Sequence, residues 1–123
     1  MPAILSGKRV LVVEDHLLIA LGIAQELEAL SCTIIGPAGH VMDALALIRE
    51  SPLHGATVDY DLHGEKCRPV LDELRDRGIP TLIVTAYHSS ALKNHGHLFA
   101  ILDKPFHPKE LQKRAAMLFR GTL

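Results

Sequence analysis

Four short apolar runs in this chain each stop on a residue bearing a charge or a hydroxyl, and segments of helical periodicity lie between them. Val10–Val13 leads into Glu14 and Asp15, Ala56–Val58 into Asp59, and Thr81–Val84 into Thr85, while Ala100–Leu102 passes Asp103 to reach Lys104 and Pro105. Runs this short and this continuously apolar suit strands covered on both faces, as in parallel sheets. A further run, Thr33–Ile35, precedes Gly36 and Pro37. The i, i+3, i+4, i+7 spacing of a helix face recurs at Leu17, Leu21, Ala24 and Leu27, and at Val41, Ala44, Leu45 and Ile48. It returns at Cys67, Val70, Leu71 and Leu74, and at Leu111, Ala115, Leu118 and Phe119. A shorter helix is expected from about Ser89 to His95, with Ser89 as its cap and Gly96 as its stop. Strands alternating with helices imply right-handed βαβ units around a parallel sheet. Such sheets bind ligands outside the carboxyl ends of their strands, where the strand order reverses. Several carboxylates, a hydroxyl and an ammonium are therefore expected to meet in one crevice.

The chain has 123 residues, enough for one domain with a real core and too few for two lobes. It shows no linker, repeat or low-complexity stretch and ends just after the last helical segment, so residues 1–123 are read as one domain with no output domain. Thirteen basic against fourteen acidic side chains give no bulk attraction to nucleic acid. Cys32 and Cys67 are too few for a disulfide scaffold and are expected to be buried and reduced. No apolar run approaches a membrane span and the start lacks a signal-peptide pattern. The expectation is a soluble cytoplasmic domain with neither membrane nor nucleic-acid partner.

Two adjacent carboxylates at a strand end, Glu14 and Asp15, are costly unless a cation neutralises them, and a hard divalent ion such as Mg²⁺ is the natural remedy. The competing reading of the pair is a solvated strand end or a helix cap. Asp59 leaves its strand in the segment Asp59-Tyr60-Asp61-Leu62-His63-Gly64 and adds a third carboxylate. A carboxylate accepts a phosphoryl group when metal and cations offset the incoming charge; otherwise this segment is an ordinary acidic turn. Asp61 points the other way in an extended segment, which leaves its backbone carbonyl as the metal ligand it can offer. Thr85 can donate to a phosphoryl oxygen, and Lys104 is the compact point charge that suits phosphate. Asp59 is expected at the surface, outside the core. The Lys104–Pro105 bond is expected to be cis, since only X-Pro bonds adopt that form cheaply.

Val10–Asp15 (VLVVED), Val58–Gly64 (VDYDLHG), Leu82–Ala86 (LIVTA) and Leu102–Phe106 (LDKPF) together resemble the receiver domain of bacterial two-component response regulators. The resemblance implies a flavodoxin-like, doubly wound (βα)5 fold with a five-strand parallel sheet in the order 2-1-3-4-5. It implies Mg²⁺ at Glu14 and Asp15, and a phosphoryl group taken by Asp59 from the phosphohistidine of a sensor histidine kinase or phosphotransfer protein. Thr85 and Lys104 fall on the family's hydroxyl and lysine positions. Such a protein is a switch that phosphorylates and dephosphorylates itself, not a turnover enzyme. Two departures stand out. Ile101 occupies the place of the family's aromatic switch residue, and Val84-Thr85-Ala86-Tyr87 is similar to a Thr-Gly-Tyr-type subgroup of single-domain stress-signalling receivers in alphaproteobacteria, with Ala86 replacing glycine. Tyr87 is otherwise a loop aromatic. Because Ile101 is β-branched and stiff, Tyr87 and the helix from Ser89 are expected to carry the switch. The face of that helix, the last strand and the final helix then meets a downstream protein or a second copy.

Two other classes remain open from the residues. Asp59-Tyr60-Asp61 mimics the Asp-x-Asp of haloacid-dehalogenase-type phosphatases, although that motif opens a longer chain and its later Thr or Val is here His63. A pseudo-receiver that binds without being phosphorylated is the third reading. His95-Gly96-His97 lacks the acidic or cysteine neighbours of a metal site, and Gly36-Pro37-Ala38-Gly39 lacks the spacing of a phosphate-binding loop.

Overall fold

The computed structural model describes residues 4–62, 65–86 and 99–120, apart from the side chains of Asp61, Glu65 and Lys66. The apolar runs form five strands: β1 (Arg9–Val13), β2 (Thr33–Ala38), β3 (Gly55–Asp59), β4 (Thr81–Thr85) and β5 (Phe99–Asp103). All pair in parallel in the order β2-β1-β3-β4-β5, the doubly wound arrangement that the sequence implies. The helices are α1 (Leu17–Glu28), α2 (Val41–Glu50), α3 (Arg68–Asp76) and α4 (Pro108–Phe119). The expected helix at Ser89–His95, together with Tyr87, His63 and His95-Gly96-His97, lies outside the described residues. A two-residue antiparallel hairpin, Asp61–Leu62 with Glu65–Lys66, follows β3.

Every residue of β3 and β4 is buried, because helices cover both faces of the sheet. Alternate strand residues feed two separate cores. Leu11, Val13, Ala56, Val58 and Ile83 pack with the inner faces of α2 and α3. Val10, Val12 and Leu82 pack with α1 and α4, where Phe119 is the largest enclosed side chain. Both cysteines are buried and free, as expected.

The apolar faces of α2, α3 and α4 match their sequence spacing. That of α1 does not. Ala20, Ile23, Ala24 and Leu27 face the sheet, and Leu17 and Leu21 are exposed. The segment Leu17–Ala24 is apolar almost all round, so two stripes satisfy the same period, and the smaller side chains of the buried one let α1 settle close to β1 and β2. Strand β2 also runs further than its apolar core, through a cis Gly36–Pro37 bond and an irregular step against β1. Helix α3 stops where Gly78 takes a positive φ of 69°, a conformation glycine adopts without steric cost. The first turn of α4 is capped by Nδ1 of His107, which accepts from the Lys109 amide at 3.1 Å.

Gly55 opens β3 directly beneath the Phe119 ring, and a β-carbon there would penetrate the ring edge. Gly55→Ala is therefore expected to cost about 1–3 kcal/mol through overpacking. Combining it with Phe119→Leu should restore part of that loss, which urea denaturation of the two single variants and the double variant will measure as non-additivity.

Candidate functional site

Chain order reverses between β1 and β3, which lie side by side at the centre of the sheet with β2 beyond one and β4 beyond the other. The crevice at their carboxyl ends collects residues far apart in sequence. Glu14 and Asp15 follow β1, Asp59 closes β3, Thr85 closes β4, and Lys104 follows β5. Backbone bonds hold these ends in step: Glu14 donates to the Ala38 carbonyl at 2.9 Å, Tyr60 to Val84 at 3.0 Å, and Lys104 to Thr85 at 2.8 Å. Parallel pairing thus brings to one edge every chemistry-bearing strand end that the sequence marks out.

One carboxylate oxygen from each of Glu14, Asp15 and Asp59 lies within 4.8 Å of the others. Glu14 is only 3% exposed and Asp59 7%. The expectation that Asp59 is a surface carboxylate is thereby corrected: the ends of β1 and β4 flank it and the Lys104 side chain reaches over it. The ammonium of Lys104 stands 3.3 Å from Glu14 Oε1 and 3.5 Å from Asp59 Oδ1, bridging the two acids. The Lys104–Pro105 peptide is cis, as the sequence suggests. Thr85 is buried at the end of β4. The side chain of Asp61 lies outside the described residues, so its expected orientation is not part of this picture.

Sequence spacing assigns no part to His16, yet its amide donates to Glu14 Oε2 at 3.1 Å and fixes that carboxylate at the entrance to α1. The signal available was positional: the first residue after an acidic pair, ahead of an apolar helix, supplies a free amide.

Among the described residues, three carboxylates and one ammonium meet in the crevice. Burial pushes Glu14 from its ordinary value of 4.5 up to about 7. The neighbouring Asp59 charge adds to the rise, while the His16 amide and the Lys104 ammonium oppose it. An all-oxygen donor set of this kind fits a hard divalent cation, which would offset the repulsion among these carboxylates.

A family model described as the response regulator receiver domain matches residues 10–116. Among solved structures, SdrG from Sphingomonas melonis Fr1 is similar at 32% identity and a TM-score of 0.76, over 90% of this chain and 96% of that one. PhyR from Brucella abortus is similar at 28% identity and a TM-score of 0.78, over 90% of this chain. The match spans only 47% of that PhyR chain, about half its length. The signal receiver domain of NarL from Mycobacterium tuberculosis matches at 25% identity and a TM-score of 0.79, over 95% of this chain and 99% of its own. No curated protein matches the sequence.

A carboxyl group with a raised folded-state pKa binds its proton more tightly in the folded chain than in the unfolded one. Its contribution to stability is complete below the unfolded value of 4.5 and is lost as the pH rises through about 7. In a chelator, the wild-type urea midpoint should therefore fall between pH 5 and pH 7.5. Glu14→Gln, which keeps the shape without the titration, should flatten that fall, and the two midpoints measured at each pH check this.

Proposed function

The chain belongs to the response regulator receiver domain family, and from that premise we propose that it is the phospho-accepting switch of a two-component phosphorelay, with Asp59 as acceptor. Receiver domains are signalling switches. The observation that carries the assignment to Asp59 is its place at the end of β3, bridged by Lys104 and grouped with Glu14 and Asp15.

In this reading an Asp59 carboxylate oxygen attacks the phosphorus of a phosphohistidine on a sensor kinase or phosphotransfer protein. A P–O bond forms as the P–N bond breaks, and the imidazole leaves with the electron pair and takes a proton from solvent. Lys104, paired with Asp59 at 3.5 Å, then meets a phosphoryl oxygen as a point charge. Thr85 supplies a hydroxyl donor to another of those oxygens. Glu14, Asp15, Asp59 and the Asp61 carbonyl would hold Mg²⁺, which when bound neutralises developing charge on the phosphoryl oxygens. A cytoplasmic location fits this relay; no helix among the described residues is long and apolar enough to cross a membrane.

The output surface in this reading is the face of β5 and α4, offered to a downstream protein or a second copy. The Val84–Tyr87 segment suggests the stress-signalling receiver subgroup, and the likeness to SdrG, matched over 96% of its own chain, is in keeping with that reading.

Incubation with acetyl phosphate and Mg²⁺ should give a single alkali-labile phosphoryl adduct by intact mass. Asp59→Asn should abolish it while keeping the fold, because the amide preserves the shape and removes a like charge beside Glu14. Labelling of that variant at the wild-type rate would move the acceptor to Asp61 or to another residue. Steady release of phosphate from phosphoesters would indicate the phosphatase reading, and no adduct on the wild type the pseudo-receiver.

Excess chelator should lower labelling of the wild type by at least tenfold, since Asp59 then faces two neighbouring acids and an anionic donor without the divalent ion. Labelling unchanged by chelation would refute the metal's part.

A further inference from the structure

The two edges of the sheet are not treated alike. On β5 the guanidinium of Arg114, reaching from α4, donates to the Ile101 carbonyl at 3.0 Å, and Asp103 adds a charge to the strand. Both features discourage another strand from pairing there. The opposite edge, β2, reads Thr-Ile-Ile-Gly-Pro-Ala and carries no charge at all. The Thr33 amide bonds inward to Lys8, so by strand alternation the N–H and C=O of Ile34 point out from the sheet. Pro37 and the irregular step against β1 spoil only the far end of the strand.

Apolar side chains flank this open edge. A cleft of about 620 Å³ runs between α1 and β2, lined by Leu21, Ala24, Ile34 and Pro37 with Glu28 among its polar residues. On α1 beside it, Leu17 is 64% exposed and Leu21 49%. On the other face of the sheet, Met42 stands exposed on the first turn of α2.

We propose that this edge pairs with the same edge of a second copy of the chain, antiparallel about a two-fold axis through Ile34. The two Ile34 residues then exchange both backbone hydrogen bonds and join the sheets into one. A second copy suits the edge because backbone pairing is self-complementary and the strand sets no charge against its twin. The charges on α1 fit the same operator. The axis lies perpendicular to the sheet, so the two α1 helices run antiparallel on one face. Each Leu17–Leu21 end comes alongside the other's Gln25–Glu28 end. The two Glu28 carboxylates are thus kept apart. A six-residue strand is far short of the ~800 Å² per partner of a standard interface. The flanking leucines must therefore contribute, and the dimer is a reversible one.

Sedimentation velocity across a concentration series, with amide exchange read by NMR in dilute and concentrated samples, tests this. The expected result is a reversible dimer in which the Ile34 amide exchanges roughly tenfold more slowly in the concentrated sample. Leu21→Glu, a change at an exposed site, should give a monomer with unaltered circular dichroism. A mass that stays monomeric to millimolar concentration would overturn the proposal. So would a dimer without slowed exchange at Ile34, or one abolished by Met117→Glu on α4 and untouched by Leu21→Glu.

Discussion

Three carboxylates held at one end of a parallel sheet, with one ammonium between two of them, are the constraint around which the rest of the molecule is arranged. Left to solvent, Glu14, Asp15 and Asp59 would separate, since like charges a few ångströms apart repel and each prefers full hydration. The ends of β1 and β3 keep them together because both strands are buried on both faces and tied by a parallel ladder. Lys104 can reach Glu14 and Asp59 only because β5 closes the far side of the sheet and its backbone bonds to Thr85. Packing energy in the two apolar cores thus sustains an electrostatic arrangement that is unfavourable by itself. Burial in this crevice raises the pKa of Glu14, and the neighbouring Asp59 charge adds to the rise.

Each core serves this arrangement differently. The α2–α3 side is built from spaced apolar faces that match the sequence periodicity and seat the ends of β1 and β3. The α1–α4 side depends on a closer fit, with Phe119 filling the space that Gly55 leaves open. It also bears the hydrogen bond from Gln112 to Glu26 at 2.7 Å, which joins the two helices directly. The helix that begins beside the acidic pair, α1, is therefore held at both ends: by the His16 amide on Glu14 and by its packing against α4. Its outer surface keeps three leucines in solvent, a cost that its sheet-facing side does not explain.

Strand positions were legible because each apolar run has one feasible length and burial, and because its terminal residue is chemically distinctive. The order 2-1-3-4-5 came from the family resemblance and not from periodicity, which orders nothing in space. The buried stripe of α1 was not legible: a helix apolar on most sides has little moment to orient it, and only packing on the sheet selects Ala20 and Ile23 over Leu17 and Leu21. The burial of Asp59 was missed for a related reason. A carboxylate at a strand end looks solvated until the neighbouring strands and the lysine that reaches over it are in place.

By itself the sequence determined the strand and helix segments, the residue type at each strand end and the family whose motifs those residues match. These follow from local period and from chemistry carried within a few residues. Tertiary structure alone decided which strand ends become neighbours, how near Lys104 stands to two acids, and which face of α1 meets the sheet. It also decided that Arg114 guards one sheet edge while β2 lies open. All of these are contacts between segments distant in the chain. Their geometry is set by the joint packing of the two cores, which no local pattern encodes.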